Sequence, residues 1–130
     1  MSPVAGRCEC GAVAYEVTGP LRDVVACHCT QCRRTSGHYS AYTSAAAADL
    51  TFLRADGLRW YRSSDSAERG FCERCGSNLF WRPLAEPLRI SIAAGSITGP
   101  TRLSVSRHIF VADRADYYAI PSDETQCLGW

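Results

Sequence analysis

The chain has 130 residues, which fits one domain, and a chain of this length buries roughly two-thirds of the surface that it exposes when unfolded. Hydrophobic residues make up 46% of the sequence, enough for a core, and the net charge of +1 argues against nucleic acid or an anionic membrane as a partner. No apolar run approaches the ~20 residues that span a bilayer, and none follows Met1, so we expect a cytoplasmic protein. In that reducing compartment, eight cysteines indicate metal binding rather than a disulfide framework.

The first cysteine motif is Cys8-x-Cys10, followed by Gly11. Alternate residues of an extended strand face opposite sides, so the chain must turn if both thiols are to reach one metal ion, and Gly11 permits that turn. Residues with β-forming side chains at 12–17 and 22–26 predict the first two strands. The second of these strands leads directly into the next cysteine motif.

That second motif, Cys27-x-Cys29-x-x-Cys32, places three thiols within six residues. So short a loop seldom brings two cysteine Cα atoms to the ~4.4–6.8 Å that a disulfide requires, whereas one zinc ion accepts several thiolates at about 2.3 Å. Three cysteines leave the fourth zinc position open or closed by another group. An open position is typical of a reactive zinc ion, so this motif is the candidate reactive site.

The third motif is Cys72-x-x-Cys75-Gly76, a zinc knuckle whose tight turn aims both sulfurs at one point. Short β-type segments separated by frequent turn signals predict a mainly β single domain, with a core at about 4–120 and a loosely held tail at 121–130. The strands predicted after Cys32 lie at 38–43, 50–54, 58–62, 79–81, 88–94, 107–111 and 117–120. A polar turn is predicted at 33–37, a helical turn at 45–48, and a hairpin at Asp56-Gly57 between the strands 50–54 and 58–62.

Counting the ligands that a zinc ion needs indicates which cysteines share one ion. The C-x-C and C-x-x-C pairs sum to the four thiolates that close a structural zinc site, so Cys8, Cys10, Cys72 and Cys75 are predicted to share one ion. The triplet then forms a second site with fewer ligands. A rival pairing joins Cys72 and Cys75 to two cysteines of the triplet and leaves Cys8 and Cys10 without a role. Cys127 is interpreted as a free thiol or as a fourth ligand of the triplet.

Four segments, spread in order along most of the chain, carry a specific combination of motifs. They are Gly-Arg-Cys-Glu-Cys-Gly-Ala-Val at 6–13, Cys-His-Cys-Thr-Gln-Cys-Arg at 27–33, Arg-Gly-Phe-Cys-Glu-Arg-Cys-Gly-Ser-Asn-Leu at 69–79, and Arg-His-Ile-Phe-Val at 107–111. Together they resemble the glutathione-dependent formaldehyde-activating enzyme family, which also includes centromere protein V. One departure is Tyr117-Tyr118, where members of the family often carry Trp after the last strand.

The resemblance implies a small β-tent fold of short antiparallel strands that binds two zinc ions. It implies a structural zinc at Cys8, Cys10, Cys72 and Cys75, and a second zinc at Cys27, Cys29 and Cys32. The implied activity is that of a carbon–sulfur lyase, which forms or breaks S-hydroxymethylglutathione, the adduct of formaldehyde and glutathione. A small thiol or aldehyde is therefore the expected partner, with glutathione as co-substrate.

The triplet suggests a hypothesis for the mechanism. A thiol bound at the free zinc position loses its proton and attacks the carbon of an aldehyde held beside it, which gives an S-hydroxymethyl thiol. Arg33, Arg34 and Arg69 are the candidates to pair with the glutathione carboxylates. His108 or His38 is the candidate to move the proton.

Other functions stay open from the sequence. The chain is alternatively a non-catalytic interaction module of the same fold, whose second zinc is enclosed by a histidine or Cys127, or an enzyme that acts on another thiol or aldehyde. A redox or metal-buffer role for the triplet is a further alternative. Water or an added thiol as fourth ligand favours an enzyme, and a protein side chain favours a module. His28, which lies between two ligands, is predicted to point away from the ion. The natural substrate and the oligomeric state are not determined by these patterns.

Overall fold

A computed structural model describes residues 3–130 of the chain. The strands are Val4–Arg7 (β1), Val13–Val17 (β2), Val24–Cys27 (β3), Ser40–Ala46 (β4), Leu50–Ala55 (β5), Leu58–Arg62 (β6), Ala67–Cys72 (β7), Asn78–Pro83 (β8), Arg89–Ala93 (β9), Val105–Ile109 (β10) and Thr125–Gln126 (β11). The described residues also form one α-helix, Thr30–Ser36 (α1), and 3-10 turns at Ala47–Asp49, Ala94–Ser96 and Val111–Asp113. Within 3–130, none of the helices combines the length and the apolar character that crossing a membrane would require.

The strands form two sheets. β1, β2 and β5 make a three-stranded sheet, and the other eight strands make a sheet in the order β11-β10-β3-β4-β9-β8-β7-β6. Neighbouring strands are antiparallel, except that β10 pairs in parallel with both β3 and β11. The prediction of a small, mainly β domain of short strands is confirmed, with these two parallel pairs as a feature that the sequence does not show.

The hydrophobic core joins the small sheet to one face of the large sheet. Val13, Tyr15 and Val17 alternate along β2 and are buried, and they cluster with Phe80 of β8 and Ile92 of β9. The rings of Tyr15 and Phe80 meet edge to face with their centroids 5.3 Å apart. Because successive side chains of a strand point to opposite faces, Trp81 and Ser91, which adjoin Phe80 and Ile92 in sequence, lie on the other face of the large sheet. That second face carries the candidate site.

The predicted hairpin at Asp56-Gly57 is wrong. Both strands exist, but β5 pairs with β2 in the small sheet and β6 pairs with β7 in the large one, so the turn carries the chain between sheets. The turn packs closely on its surroundings, since a Cβ atom added at Gly57 would lie 2.7 Å from the Sγ atom of Cys72. A turn sequence specifies a reversal of chain direction, whereas burial selects which strands pair.

Three further local predictions are wrong. Helix α1 covers most of the polar turn predicted at 33–37, and residues 117–120 form no strand. The tail is not loosely held, because β11 pairs with β10 and the N–H of Phe110 donates to the carbonyl oxygen of Gly129 at 2.8 Å. The segment 121–130 is therefore part of the large sheet and of the surface beside it. The helical turn predicted at 45–48 corresponds to the 3-10 turn at Ala47–Asp49.

Gly6 allows a close contact between the two sheets. It pairs with Tyr15 across the small sheet and forms an isolated β-bridge with Ile97. The ring of Tyr15 passes over Gly6, and its hydroxyl donates to the Oγ atom of Ser96 at 2.6 Å, while Ser96 donates to the carbonyl oxygen of Ala93 at 2.7 Å. Any side chain at position 6 would occupy the space of the tyrosine ring.

We therefore predict that Gly6→Ala lowers the stability of the protein. The added methyl group overlaps the Tyr15 hydroxyl and lies 2.8 Å from the Ser96 carbonyl oxygen, an overpacking that costs about 1–3 kcal/mol. Thermal denaturation followed by circular dichroism measures the effect. Gly95→Ala is the matched control, because a Cβ atom there meets nothing within 4 Å. Equal melting temperatures for the two variants would contradict the packing described here.

A second prediction concerns alkaline stability. Burial raises the pKa of Tyr15 from 10.0 to about 12, with the Ser96 hydrogen bond acting in the opposite direction. Between pH 10 and 12 the unfolded chain loses a proton that the folded chain keeps, so the free energy of unfolding falls by up to ~1.4 kcal/mol per pH unit. Tyr15→Phe should remove this part of the pH dependence and cost about 1 kcal/mol at neutral pH through the lost hydrogen bond. Urea denaturation of both proteins from pH 9 to about pH 11.5 tests whether the slopes differ.

Candidate metal centres

The first cluster of sulfurs joins distant parts of the chain. The Sγ atoms of Cys8, Cys10, Cys72 and Cys75 all lie within 4.8 Å of one another, and none of these cysteines forms a disulfide. Cys10 Sγ lies 3.7 Å from Cys8 Sγ and 3.8 Å from Cys72 Sγ. Four thiolates placed about 2.3 Å from a tetrahedral zinc ion are ~3.8 Å apart. The sulfurs therefore have the spacing that a tetrahedral four-thiolate site requires.

Two glycine-containing turns shape this cluster. Gly11 follows the first cysteine pair with φ 82° and Gly76 follows the second with φ 79°, a left-handed conformation that glycine adopts without strain. Beyond Gly76, the hydroxyl of Ser77 lies 3.2 Å from the Sγ atom of Cys75. Hydrogen bonding from Ser77 lowers the pKa of Cys75 to about 5. The turn thus stabilises the thiolate, which is the form that ligates a metal ion.

The second cluster contains Cys27, Cys29 and Cys32, whose Sγ atoms also lie within 4.8 Å of one another. Cys27 ends β3, where it pairs with Ser40 of β4 on one side and Ile109 of β10 on the other. Cys29 is the N-cap of α1, and its sulfur accepts the backbone N–H of Cys32 at 3.3 Å. The free N–H groups at a helix N-terminus stabilise a negative charge, so the start of α1 is a favourable place for thiolates.

The pKa values of Cys27 and Cys32 are shifted in opposite directions. Hydrogen bonding with Cys27 lowers the pKa of Cys32 to about 5, against the effect of burial, and Ser40, Cys29 and Arg69 add to the decrease. The same contact with Cys32, together with burial, raises the pKa of Cys27. The Nη2 atom of Arg69 lies 3.7 Å from the Sγ atom of Cys32. Arg69 is buried, and no carboxylate of residues 3–130 forms an ion pair with it, so its charge is available to offset the thiolates.

A cavity of about 580 Å³ opens over the second cluster. Its floor is the face of the large sheet that points away from the core, where Ser40, Tyr42 and Ser44 alternate along β4 beside Ser91 of β9 and Trp81 of β8. This volume lies within the ~300–1,000 Å³ typical of small-molecule sites. The sheet therefore places the triplet at the base of a site that admits a small substrate.

The wall of the cavity on the β10 side comes from the end of β10 and the C-terminus. Ile109, Phe110 and Trp130 line it, and the guanidinium group of Arg107 stacks 4.7 Å from the centre of the Trp130 ring. Phe110 has φ 54°, a left-handed conformation that is costly for a residue with a side chain. Its N–H is held by the carbonyl oxygen of Gly129, so the C-terminal segment supports this part of the wall.

Most of the arginines and histidines predicted for the site lie away from the cavity. Arg69 lines the cavity, but Arg33 and Arg34 lie on α1 outside its lining, and the Nη1 atom of Arg33 donates to the carbonyl oxygen of Asp113 at 3.1 Å. His38 contacts the hydroxyl of Tyr117 rather than the triplet, and neither His38 nor His108 lines the cavity. Of these five candidates, the structure brings only Arg69 to the triplet.

His28 and His108 belong to a buried chain of hydrogen bonds. The Nε2 atom of His108 contacts Oε1 of Glu124 at 2.8 Å, its Nδ1 atom contacts Nε2 of His28 at 2.8 Å, and Nδ1 of His28 contacts the hydroxyl of Tyr118. A carboxylate only accepts, so His108 donates to Glu124, His28 donates to His108, and Tyr118 donates to His28. Burial is the main cause that lowers the pKa of His28 to about 4, and the positive charge of Arg114 acts in the same direction, which keeps the His28 ring neutral. As predicted, His28 points away from the three sulfurs.

Several residues of the site escape prediction from the sequence. Tyr42, Ser44 and Ser91 resemble ordinary residues of β-strands, and Arg22 and Arg89 resemble surface arginines. Alternation along the strand predicted at 38–43 is a signal that Ser40 and Tyr42 share one face. Whether that face points to the core or to the cavity depends on where the second sheet packs, and no local sequence pattern specifies this.

Comparison with known proteins finds a family profile, two named relatives and a solved structure that match this chain. The sequence profile of the glutathione-dependent formaldehyde-activating enzyme family matches residues 3–113. A protein of Halomonas elongata, provisionally named a glutathione-dependent formaldehyde-activating enzyme, is 30% identical, and the match covers 92% of this chain and 82% of the relative. An uncharacterised lyase of Schizosaccharomyces pombe is 24% identical over 91% of this chain and 85% of its own length. A crystal structure of a Rhodobacter sphaeroides protein matches with a TM-score of 0.63 and 28% identity, over 75% of this chain and 91% of that one.

The first cluster yields a prediction about folding. Cys72→Ser removes a fully buried sulfur that meets the N-terminal turn, and a structural zinc contributes on the order of 10 kcal/mol to folding. We expect this variant to lose the metal ion of the first cluster and its cooperative thermal transition, as measured by elemental analysis and circular dichroism. Cys127→Ser is the control, since Cys127 belongs to neither cluster. A Cys72→Ser protein with unchanged metal content and melting temperature would refute a metal site here.

Proposed function

The chain belongs to the glutathione-dependent formaldehyde-activating enzyme family, and from this membership we propose that it is a zinc-dependent carbon–sulfur lyase. It forms or breaks the S-hydroxymethyl adduct of formaldehyde and a small thiol, of which glutathione is the one that the family's name indicates. The reaction takes place at the zinc site of Cys27, Cys29 and Cys32. In the same proposal, Cys8, Cys10, Cys72 and Cys75 hold a second, structural zinc ion.

The observation that carries the proposal is the number of protein ligands at the triplet. Three sulfurs converge there, and no further histidine, cysteine or carboxylate of residues 3–130 joins them within 4.8 Å. His28 is turned toward Tyr118 and His108, and Cys127 lies in the C-terminal segment that pairs with β10. Zinc sites that take a substrate keep three protein ligands and one exchangeable position. The ligand count therefore favours an enzyme over an interaction module with an enclosed ion.

The residues at the triplet fit zinc and a second thiolate. Thiolates are soft ligands that suit zinc, which, when bound there, supplies a position at which a thiol loses its proton near neutral pH. Three protein thiolates and a substrate thiolate carry more negative charge than one Zn²⁺ neutralises. The guanidinium group of Arg69 lies beside Cys32 and offsets this excess, and its buried Nε–H has no hydrogen-bond partner within residues 3–130. Arg69 therefore makes the entry of an anionic sulfur favourable.

The reaction balances without a further reactant. The new bond joins the thiol sulfur to the carbon of formaldehyde, the π electrons of the carbonyl group move to its oxygen, and this oxygen takes up the proton that the thiol released. Tyr42 is placed to hold or deliver this proton, because it lines the cavity and burial raises its pKa. His108 is less well placed, since its ring nitrogens face His28 and Glu124 outside the lining of the cavity.

We predict that Cys29→Ser lowers the turnover of formaldehyde and glutathione by at least about 100-fold, because it removes a metal ligand from the reactive site. Serine is a good helix N-cap, so the hydrogen bond to the Cys32 N–H and the start of α1 should survive. Two-dimensional exchange NMR of free formaldehyde and S-hydroxymethylglutathione measures the rate at equilibrium. Elemental analysis should show the loss of one zinc ion per chain, with a small change in melting temperature.

Cys127→Ser serves as the control for loss of a thiol, and its exchange rate should match that of the unchanged protein. Cys29→Ala, which also removes the helix cap, should lose the same activity and somewhat more stability, by about 1 kcal/mol. A Cys29→Ser protein with undiminished exchange would rule out the triplet as the reactive site.

A further inference from the structure

We propose that Arg22 and Arg89 form a carboxylate-binding subsite, at the end of the cavity remote from the three sulfurs, which selects a thiol substrate of about tripeptide length. This inference rests on the proposed function, because it requires the sulfur of the same substrate to lie at Cys27, Cys29 and Cys32. The subsite differs from the one that the sequence predicts at Arg33 and Arg34, which lie outside the lining of the cavity.

The sheet holds both guanidinium groups in defined positions. Arg89 begins β9, and its Nε and Nη2 atoms donate to the Oγ atom of Ser44 at 3.3 and 3.0 Å. Arg22 precedes β3, and its Nη2 atom donates to the carbonyl oxygen of Tyr42 at 3.0 Å, while its Nε atom donates to that of Asp23 at 3.1 Å. These contacts leave the Nη1 group of each arginine without a hydrogen bond to residues 3–130. Two positioned donors at a cavity are the arrangement that binds a carboxylate.

The charges of this pair are not neutralised by the protein. No ion pair within residues 3–130 involves Arg22 or Arg89, although Glu86 also lines the cavity. Although Arg22 is exposed, desolvation lowers its pKa, and the positive charges of Arg89 and Arg107 lower it further, so two like charges lie near its guanidinium group. Two neighbouring guanidinium groups repel each other, and a bound anion would relieve that repulsion. A ligand carboxylate is therefore favoured at this point of the cavity.

The distance between the three sulfurs and the arginine pair limits the size of the substrate. Ser40 pairs with Cys27 beside the triplet, and Ser44, which holds Arg89, lies four residues further along β4. Four residues of a strand span ~13 Å. In glutathione the sulfur lies on the central residue, and the eight bonds from it to the carboxylate of the γ-glutamyl group extend to at most ~10 Å. The arginine side chains and the metal–sulfur bond would cover the remaining few ångströms. A thiol such as 2-mercaptoethanol is too short to reach both ends of the cavity.

The experiment compares a long anionic thiol with a short neutral one. Arg89→Met, alone and with Arg22→Met, should lower kcat/KM for glutathione and formaldehyde by about 10- to 100-fold, the effect of losing a charge-assisted hydrogen bond. Turnover of 2-mercaptoethanol and formaldehyde should stay within about twofold of the unchanged protein, because this thiol carries no carboxylate. Arg89→Lys retains the charge and should lose less. Arg54→Met is the control, since Arg54 lies on β5 of the small sheet and pairs with Asp56. An equal loss for both thiols would overturn the subsite and assign the arginines a structural role.

A binding measurement tests the carboxylate subsite independently of the proposed reaction. S-Methylglutathione keeps both carboxylates but has no free thiol, and isothermal titration calorimetry should show that its affinity for the zinc-loaded protein falls about 10-fold or more in the double variant. If that loss is seen while the unchanged protein does not exchange formaldehyde with glutathione, the proposed reaction is wrong and the subsite stands. If the unchanged protein turns over glutathione but S-methylglutathione binds both proteins equally, the subsite is wrong and the reaction stands.

Discussion

The alternation of side chains along the strands of the large sheet is the constraint on which the rest of the structure depends. Ile90 and Ile92 of β9 face the small sheet and belong to the core, whereas Arg89 and Ser91, which alternate with them, face the cavity. A slip of one residue in the pairing of β9 would expose the isoleucines and bury an arginine. The core and the cavity therefore lie on opposite faces of the same strands, and packing on one face fixes the register of polar groups on the other.

The loop that carries the triplet is held from both sides. Cys27 and Cys32 turn toward the cavity, while His28 turns the opposite way into the chain of hydrogen bonds that ends at Glu124. Tyr118 and Glu124 lie in or near the C-terminal segment, so this segment reaches the reactive loop through His28 and also supports Phe110. The profile match to the family ends at residue 113. Residues that follow the segment matched by the family profile therefore also contact the site.

Charge is distributed unevenly along the cavity. At its base the pKa of Cys32 is lowered to about 5, with Arg69 beside its sulfur, so negative charge develops there, and Arg22 and Arg89 place uncompensated positive charge at the far end. A substrate with a sulfur at one end and a carboxylate at the other complements both ends. In a cavity only partly open to water, such complementarity would favour one orientation of the bound molecule and would bring its sulfur to the three thiols, as the proposed function requires.

The sequence by itself determined the family, the mainly β class, and the cysteine motifs, because the spacing of ligands and the residue types at turns are local properties of the chain. It also predicted most strands near their observed positions. It missed β1 and β7, which run directly into cysteine motifs, β11, which lies in the segment predicted as a loose tail, and α1, which Cys29 caps with a sulfur atom. Only the tertiary structure decided that β5 and β6 belong to different sheets, that Arg22 and Arg89 share a cavity with the triplet, and that His108 does not line it. These features depend on which strands lie side by side, and that is set by the burial of residues far apart in the chain rather than by any local pattern.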